Sequence, residues 1–260
     1  MQQKLYQIDA FASKPFEGNP AAVCPLDEWL SDELMQKIAE ENNLAETAFF
    51  VKEDEAYGLR WFTPTVEVDM CGHATLASAY VLFECLNYDK NEIVFNTKSG
   101  MLKVWRDEHR YVMDFPTQTL EECDIAKEIE EAFGVKPKVN FSSMDYIVIF
   151  ENEVDVYDAN PNLEVLKRLA LRGVCITAKS AKYDFVTRFF APKYGINEDA
   201  VTGSAFTQLV SYWKDELGKD ILFSKQVSSR GGEVKCHVKA ERVEISGEAV
   251  KYFEGEIKIG

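Results

Sequence analysis

Apolar and polar positions along the chain form strand-like and helix-like patterns in turn. Strand-like alternation covers residues 4–12 and 19–26, with a turn at Glu17-Gly18-Asn19-Pro20 between them. Apolar residues then recur at helical spacing, which predicts a helix over 32–42 with Ser31 as its N-cap. The other elements predicted in the first half are strands at 45–52 and 59–64, a helix from Gly72-His73, and three antiparallel strands within 92–116.

The second half of the chain continues the same mixture of patterns. Its predicted elements are helices near 124–133, 161–170 and 204–217, strands at 144–150, 174–180 and 185–190, and closing strands in ILFSK, GEVKCHVKA, RVEISG and EGEIKI. No low-complexity or Pro/Gly/Ser-rich linker divides the chain. The pattern therefore predicts an α+β (mixed α/β) fold without a flexible connector.

A weak internal repeat relates residues 33–64 to residues 164–192. In each segment a helix leads to a strand, and then to a second strand that ends in Phe-x-Pro. After the proline, Gly72-His73-Ala74 in one segment and Gly203-Ser204-Ala205 in the other open a helix. We therefore predict two similar lobes, an N-terminal lobe of residues 1–116 plus 251–260 and a C-terminal lobe of residues 117–250.

Composition and charge argue against some kinds of binding partner. The chain has 260 residues, of which 46% are hydrophobic and 28% are charged, as in ordinary globular proteins. Its 44 acidic and 29 basic residues give a net charge of −15, which argues against binding to nucleic acid or to anionic membranes. No apolar run is long enough to span a bilayer and the N-terminus lacks a secretory pattern, so we expect a cytoplasmic protein.

The cysteines and histidines do not form a metal-binding or disulfide pattern. Six cysteines are dispersed without a CxxC motif, which favours reduced thiols. The three histidines are scattered along the chain, so the sequence predicts no metal cluster. Chemistry without a metal is the expectation.

Glu46 opens a predicted strand whose continuation, AFFV, carries no other charge. Apolar surroundings raise the pKa of a carboxyl group, and a raised pKa suits proton transfer near neutral pH. The alternative from this segment alone is a solvated glutamate at a junction between helix and strand. The sequence leaves both interpretations open at this point.

The segment Asp69-Met70-Cys71-Gly72-His73-Ala74-Thr75 combines reactive groups with a helix start. A glycine there admits a ligand to the backbone, and the first helical N–H groups can bind an anion. His73 can relay a proton, and the helix start would lower the thiol pKa of Cys71. The alternative for Cys71 is a small buried residue.

The third segment, Asn197 to Ala205, places two acidic residues and Thr202-Gly203-Ser204 before the second helix. Backbone N–H groups and hydroxyls there can hold a carboxylate, while Asp199 can orient His73 or act as a second acid or base. A simple capping loop is the alternative.

Taken together, these segments resemble the PhzF-like (phenazine-biosynthesis-like) isomerase family, whose fold is shared with diaminopimelate epimerase and proline racemase. The matching segments are IDAFASKPFEGNPAAV (8–23), NLAETAFF (43–50), RWFTPTVEVDMCGHATLAS (60–78), FAPKYGINEDAVTGSA (190–205) and the C-terminal strands. The resemblance implies two pseudo-symmetric lobes of diaminopimelate epimerase-like fold. Each lobe is expected to be a mostly antiparallel sheet wrapped around a central helix, with the active site in the cleft between the lobes.

The resemblance also implies roles for individual residues. Glu46, in the position of the family's proton-shuttling glutamate, is expected to be the catalytic acid and base, together with His73 and Asp199. The implied substrate-binding residues are Asn19, Gly72, Ala74, Thr202, Gly203 and Ser204. The family works without a metal or an organic cofactor, acts on small carboxylates and commonly forms homodimers.

One position departs from the related epimerases and racemases, which use two thiols on opposite faces of the substrate α-carbon. Cys71 fills the first thiol position, but Ala200 fills the second and cannot transfer a proton. A single-base isomerisation by Glu46 is therefore favoured, with Cys71 as a possible accessory. Two alternatives remain open: an amino-acid epimerase that uses Cys71 and a carboxylate, and a non-catalytic protein that binds small acids.

Overall fold

A computed structural model of the chain describes residues 2–259. The strands are β1 (Gln2–Ala10), β2 (Asn19–Leu26), β3 (Glu46–Glu53), β4 (Ala56–Phe62), β5 (Glu67–Val68), β6 (Glu92–Thr97), β7 (Gly100–Asp107), β8 (Arg110–Pro116), β9 (Glu121–Glu122), β10 (Val139–Ser142), β11 (Tyr146–Ile149), β12 (Val174–Lys179), β13 (Phe185–Ala191), β14 (Ile196–Asp199), β15 (Ile221–Gln226), β16 (Gly232–Lys239), β17 (Arg242–Gly247) and β18 (Ala249–Lys258). The α-helices are α1 (Asp32–Asn42), α2 (Gly72–Tyr80), α3 (Ala126–Phe133), α4 (Glu153–Tyr157), α5 (Leu163–Leu166) and α6 (Gly203–Leu217). The mixed α/β class predicted from the sequence is confirmed.

The chain divides into two compact units. The first contains the residues up to Asp114 together with those from Ser246 onward, and the second is Phe115–Ile245. The C-terminal strand β18 therefore belongs to the first unit, where it pairs antiparallel with β1. No helix within residues 2–259 combines the length and the apolar character needed to cross a membrane.

The first unit is a mostly antiparallel sheet with helices on both faces. β2 pairs antiparallel with β1 and parallel with β3, while β4 pairs antiparallel with β3 and parallel with β6. On one face, Met35, Ile38 and Ala39 of α1 pack against a cluster that includes Phe49 and Val51 of β3. The opposite face of the sheet packs against α2, whose residues from Gly72 to Ala79 are all buried. The helix α2 is the central helix of this unit.

The second unit repeats this pattern of strand pairing. β11 pairs antiparallel with β10 and parallel with β12, while β13 pairs antiparallel with β12 and parallel with β15. The helices α3, α4 and α5 cover one face through an apolar cluster that includes Ile129, Val156 and Val165. The helix α6 is central here, and its Trp213 stacks on Phe185 with ring centroids 5.3 Å apart. The two units therefore share the same order of antiparallel and parallel strand pairings, which is the form that the predicted pseudo-symmetry takes.

Two predicted elements differ from the structure for local reasons. The predicted helix over 161–170 is reduced to α5, because the chain continues through the tighter bonds Arg168 N to Val165 O and Leu169 N to Leu166 O. The predicted strand over 59–64 ends at Phe62, because the hydroxyl of Thr63 bonds the carbonyl of Val66 in a turn.

Gly18 shapes the turn that delivers Asn19 to the start of β2. Its φ is +66°, and a Cβ atom built on it would lie 2.1 Å from the carbonyl oxygen of Ala10. We expect Gly18→Ala to lower the free energy of unfolding by about 2–4 kcal/mol, since left-handed strain and a backbone clash add together. Urea denaturation measures this loss.

The matched control for Gly18→Ala is Gly134→Ala. Gly134 has nearly the same φ, +69°, but nothing lies within 4 Å of its added Cβ. This variant therefore reports left-handed strain without the clash, and we expect it to lose only about 1–2 kcal/mol. Equal losses in the two variants would contradict the proposed clash with Ala10.

Candidate active site

The start of α2 brings together four of the residues predicted from the sequence. Glu46 is the first residue of β3 and lies on its α2 face, because the alternate residues Phe49 and Val51 point to the α1 cluster. His73 lies in the first turn of α2, directly after Gly72. Its Nε2 atom is 3.0 Å from Oε2 of Glu46.

The other ring nitrogen of His73 faces two further predicted residues. Nδ1 lies 3.3 Å from Nδ2 of Asn19 and 3.5 Å from Sγ of Cys71. Cys71 is the N-cap of α2 in an extended conformation, and its side chain makes no capping bond. Ala74, the next predicted residue in this turn, is fully buried. The imidazole of His73 therefore connects a carboxylate on one side with a thiol and an amide on the other.

The contact between Glu46 and His73 is an electrostatic one. Although Nε2 and Oε2 are 3.0 Å apart, neither atom has a partner with hydrogen-bond geometry within residues 2–259. Angles matter because a hydrogen bond weakens steeply when its atoms are misaligned. The distance is the stronger indication of their interaction, since charge attraction needs no fixed angle.

The pKa values of this pair favour its charged form. Burial raises the pKa of Glu46, whereas the positive charge of His73 and contacts with His73 and Cys71 lower it. The lowering effects are larger together, so the pKa of Glu46 lies below its ordinary value. Burial lowers the pKa of His73, but its interactions with Cys71 and Glu46 place that pKa well above its ordinary value. Glu46 is therefore a carboxylate and His73 an imidazolium at neutral pH.

Cys71 behaves as a neutral thiol. Burial raises the pKa of Cys71, and the charge of Glu46 raises it further. A neutral sulfur exerts little attraction on His73, so the carboxylate of Glu46 is the main source of the raised histidine pKa. Because an imidazolium donates from both nitrogens, Nδ1 can donate to Sγ of Cys71, or to Asn19 with its amide oxygen turned to the ring.

The raised pKa predicted for Glu46 is wrong, and so is the lowered thiol pKa considered for Cys71. The alternative for Cys71, a small buried residue, is confirmed. The raised pKa expected for Glu46 considered only its apolar neighbours and not the histidine that the fold places at 3.0 Å. The lowered pKa considered for Cys71 took only the helix start into account, whereas burial and a neighbouring carboxylate act in the opposite direction.

The three side chains of Glu46, Cys71 and His73 also have the donor types of a metal site. One donor atom from each lies within 4.8 Å of the others. However, Glu46 approaches Nε2 of the imidazole while Cys71 approaches Nδ1. An imidazole directs one nitrogen lone pair at a metal, so this arrangement fits proton transfer along the ring better than shared coordination of one ion.

The second unit contains the other predicted residues at the start of α6. The carboxylate of Asp199 accepts a hydrogen bond of 2.6 Å from the hydroxyl of Thr202, the N-cap residue. The side chain of Gln226 accepts from the backbone N of Thr202 at 2.9 Å and donates to the carbonyl of Asp199 at 2.7 Å. Gly203 is the first residue of α6, and Ser204 follows it half-buried.

An ion pair next to Ser204, between the buried Asp145 and the partly exposed Arg172, was not found by sequence reasoning. Arg172 bonds the carboxylate of Asp145 through two nitrogens, at 2.9 and 2.6 Å, and donates to Oγ of Ser204 at 2.9 Å. The amide of Gln208 donates to the same carboxylate at 2.7 Å. Asp145, Arg172 and Gln208 lie outside the matched motifs. The only sequence signal for them was the polar Gln208 among apolar residues of a predicted helix.

The structure therefore assembles the predicted residues in two groups. Glu46, His73, Cys71 and Asn19 meet within the first unit, and Asp199 joins Thr202 within the second. The convergence of the two groups on one substrate stays a prediction.

Comparisons with known proteins agree with the resemblance seen in the sequence. The family model described as "Phenazine biosynthesis-like protein" matches residues 8–255. An uncharacterized isomerase of Pseudomonas aeruginosa is 48% identical over 259 residues, which cover 100% of both chains. A crystal structure of a phenazine biosynthesis protein, PhzF family, from Enterococcus faecalis is 45% identical and superimposes with a TM-score of 0.98 over 100% of both chains.

A more distant likeness extends to epimerases. A hydroxyproline epimerase from Agrobacterium vitis is 10% identical, with a TM-score of 0.61 over 98% of this chain and 92% of the epimerase. At that identity the two proteins share the fold alone. The fold expected from the sequence is confirmed by these structural neighbours.

Proposed function

The chain belongs to the phenazine biosynthesis-like family and to the isomerases, and from this premise we propose that it moves a proton between carbon atoms of a small carboxylate. The observation that carries the proposal is the 3.0 Å contact between Glu46 and His73 at the start of a buried helix. Such a pair supplies one group that accepts a proton and one that donates a proton.

Glu46 is the proposed base. Its lowered pKa keeps it ionised at neutral pH, so it is ready to accept a proton from a carbon of the substrate. Once protonated, the same carboxyl group can return the proton to a different carbon. Ala48 and Phe50 follow Glu46 on the same face of β3 and are buried, so they would limit the exchange of this proton with water.

His73 is the proposed acid. Its raised pKa keeps the imidazolium charged at neutral pH, where it can stabilise the anion that forms when Glu46 removes a proton. If His73 gives a proton to an oxygen of that anion, it takes the same proton back when Glu46 protonates the second carbon. Asp199 is the proposed second carboxylate of the site, and its bond to Thr202 holds it at the start of α6.

The start of each central helix, α2 in the first unit and α6 in the second, is proposed to be able to hold a carboxylate. The first turns of both helices contain no acidic residue, so their N–H groups and dipoles remain favourable for an anion. Gly72, Ala74 and Asn19 would contribute in the first unit. Thr202, Gly203 and Ser204 would contribute in the second unit.

Single-base chemistry is favoured over two-thiol racemisation. The raised pKa of Cys71 leaves it a neutral thiol at neutral pH, which is a poor base. The position that would carry the opposing thiol is Ala200. The proposed steps are proton transfers supplied by Glu46 and His73, and they require no organic cofactor. From the family resemblance we also propose that the enzyme acts in the cytoplasm as a homodimer.

Solvent exchange tests the proposed reaction. The protein is incubated in D₂O with a panel of small unsaturated, hydroxy and amino acids, and the acids are then examined by proton NMR. We expect one class of acid to change the position of a double bond or of a proton on carbon. Deuterium should enter at a carbon to the extent that the proton held by Glu46 exchanges with D₂O.

Two other outcomes would point to the alternative functions. Exchange only at the α-carbon of amino acids, with interconversion of L and D forms, would favour an epimerase. Saturable binding of an acid without any chemical change across the panel would favour a non-catalytic binding protein. Either result would contradict the proposed isomerisation.

A further inference from the structure

An ion pair between the buried Asp145 and the partly exposed Arg172 adjoins the hydroxyl of Ser204 in the second unit. Asp145 is fully buried, and its carboxylate accepts two hydrogen bonds from Arg172 and one from Gln208. The backbone N of Asp145 in turn donates to the side chain of Gln208 at 3.0 Å. Both oxygens of the buried carboxylate therefore accept hydrogen bonds. The two bonds from Arg172 fix the plane of its guanidinium.

The hydrogens of Arg172 determine the role of Ser204. Nη2 carries two hydrogens, of which one bonds Asp145 and the other bonds Oγ of Ser204. Because Oγ accepts from Arg172, the hydroxyl hydrogen of Ser204 must point elsewhere. Within residues 2–259 that hydrogen has no acceptor, and Ser204 is half-buried rather than sealed from solvent.

The aromatic ring of Phe189 supports the same guanidinium. The central carbon of Arg172 lies 5.4 Å from the centroid of that ring. Gly173 allows the ring to approach the chain, because a Cβ atom at this position would lie 2.5 Å from Cζ of Phe189. Arg172 is therefore held on one edge by a carboxylate and on its face by an aromatic ring.

We propose that Arg172 is a positioning residue that fixes the hydroxyl of Ser204 as a hydrogen-bond donor to the substrate carboxylate. The inference rests on the proposed function, in which Ser204 contacts the carboxylate. A charge-assisted bond from Arg172 also makes the hydroxyl a stronger donor, because hydrogen bonds in a chain polarise one another. Asp145 and Gln208 act through Arg172 and need no contact with substrate.

Acetate is a suitable probe because it presents a carboxylate without reactive chemistry. Sodium acetate is titrated at constant ionic strength into the full ¹⁵N-labelled chain, and the amide shifts of Gly203 and Ser204 are followed. We expect saturable shifts in the wild type, and a Kd about tenfold higher in Ser204→Ala, since a charge-assisted bond is lost. The double variant Asp145→Asn/Arg172→Gln removes both charges together, and we expect a similar increase.

The combination of variants distinguishes positioning from general stability. If Arg172 acts through Ser204, adding Ser204→Ala to the double variant should raise the Kd no further. Arg172→Lys keeps the charge and tests the geometry in a second way, because an ammonium group cannot reproduce the planar fork that spans Asp145 and Ser204. We expect it also to weaken acetate binding, by about tenfold.

Arg188→Lys is the matched control. Arg188 makes a similar paired bridge to Glu198 and lies 5.2 Å from the ring of Phe190, but it bonds backbone carbonyls instead of a hydroxyl. We expect its Kd for acetate to equal that of the wild type. Three results would each overturn the inference. They are the absence of saturable shifts in the wild type, unchanged acetate affinity in Arg172→Lys, and a full further loss of affinity when Ser204→Ala is added to the double variant.

The acetate experiment is independent of turnover. Acetate binding through Arg172 and Ser204 without isomerisation of any acid would retain the inference and contradict the proposed reaction. Isomerisation of an acid together with unchanged acetate affinity in the Arg172 variants would support the proposed reaction and contradict the inference about Arg172.

Discussion

Glu46→Gln is expected to reduce turnover by a factor on the order of 10²–10⁴ while leaving the binding of small acids largely intact. Glutamine keeps the shape of the side chain and part of its hydrogen bonding, but it cannot accept a proton from carbon. The loss should therefore appear in kcat rather than in substrate affinity. The measurement is steady-state kinetics with the acid identified by solvent exchange, together with binding of the same acid by calorimetry.

Glu67→Gln is the matched control for this variant. The side chains of Glu46 and Glu67 are both 16% exposed and both contact a basic residue, but Glu67 pairs with Arg60 and Lys98 instead of a histidine. We expect Glu67→Gln to keep turnover close to that of the wild type. If both variants lose activity equally, the effect of Glu46→Gln is a general consequence of removing a charge.

Cys71→Ala separates the single-base reaction from thiol chemistry. Cys71 is a buried neutral thiol, and Ala200 stands at the sequence position of the second thiol in the related epimerases, so removal of Cys71 should cost little turnover. An inactive Cys71→Ala beside an active Glu46→Gln would favour the thiol-dependent epimerase. Circular dichroism must show that each variant folds, because Cys71 also packs beside His73.

Local sequence patterns predicted most elements of the fold. The helix α1 occupies the predicted residues 32–42, and the side chain of Ser31 accepts from the backbone N of Leu34 as its N-cap. The short helix α4 was missed, because the five residues Glu153–Tyr157 are too few to show a helical period. Strand pairings such as that of β2 with β3 were not predicted, since partners far apart in sequence leave no local signal.

The candidate site was predicted in its residues but not in its electrostatics. Motifs identified Glu46 and His73, whereas their separation of 3.0 Å and the resulting charged pair depend on how β3 packs against α2. Arg172 and Asp145 were missed because they are 27 residues apart and outside any motif. Their contact arises when β11 and β12 lie side by side, which brings Tyr146 opposite Val174.

His73→Gln is expected to lower kcat by a factor on the order of 10² and to change both limbs of the pH profile. In the wild type, activity requires Glu46 ionised and His73 protonated. Since the pKa of Glu46 is lowered and that of His73 is raised well above its ordinary value, the active range should extend from acidic pH through neutrality. Activity should fall at low pH as Glu46 gains a proton and at high pH as His73 loses one.

Glutamine at position 73 removes the group responsible for the alkaline limb, so that limb should disappear. The acidic limb should move to higher pH, because burial raises the pKa of Glu46 and the opposing imidazolium is gone. The control is His109→Gln, since His109 is a 63% exposed histidine that contacts Glu248 at 3.2 Å, and its profile should match the wild type. An alkaline limb retained in His73→Gln would assign the acid to another group, whereas an unmoved acidic limb would show that Glu46 and His73 do not interact through charge.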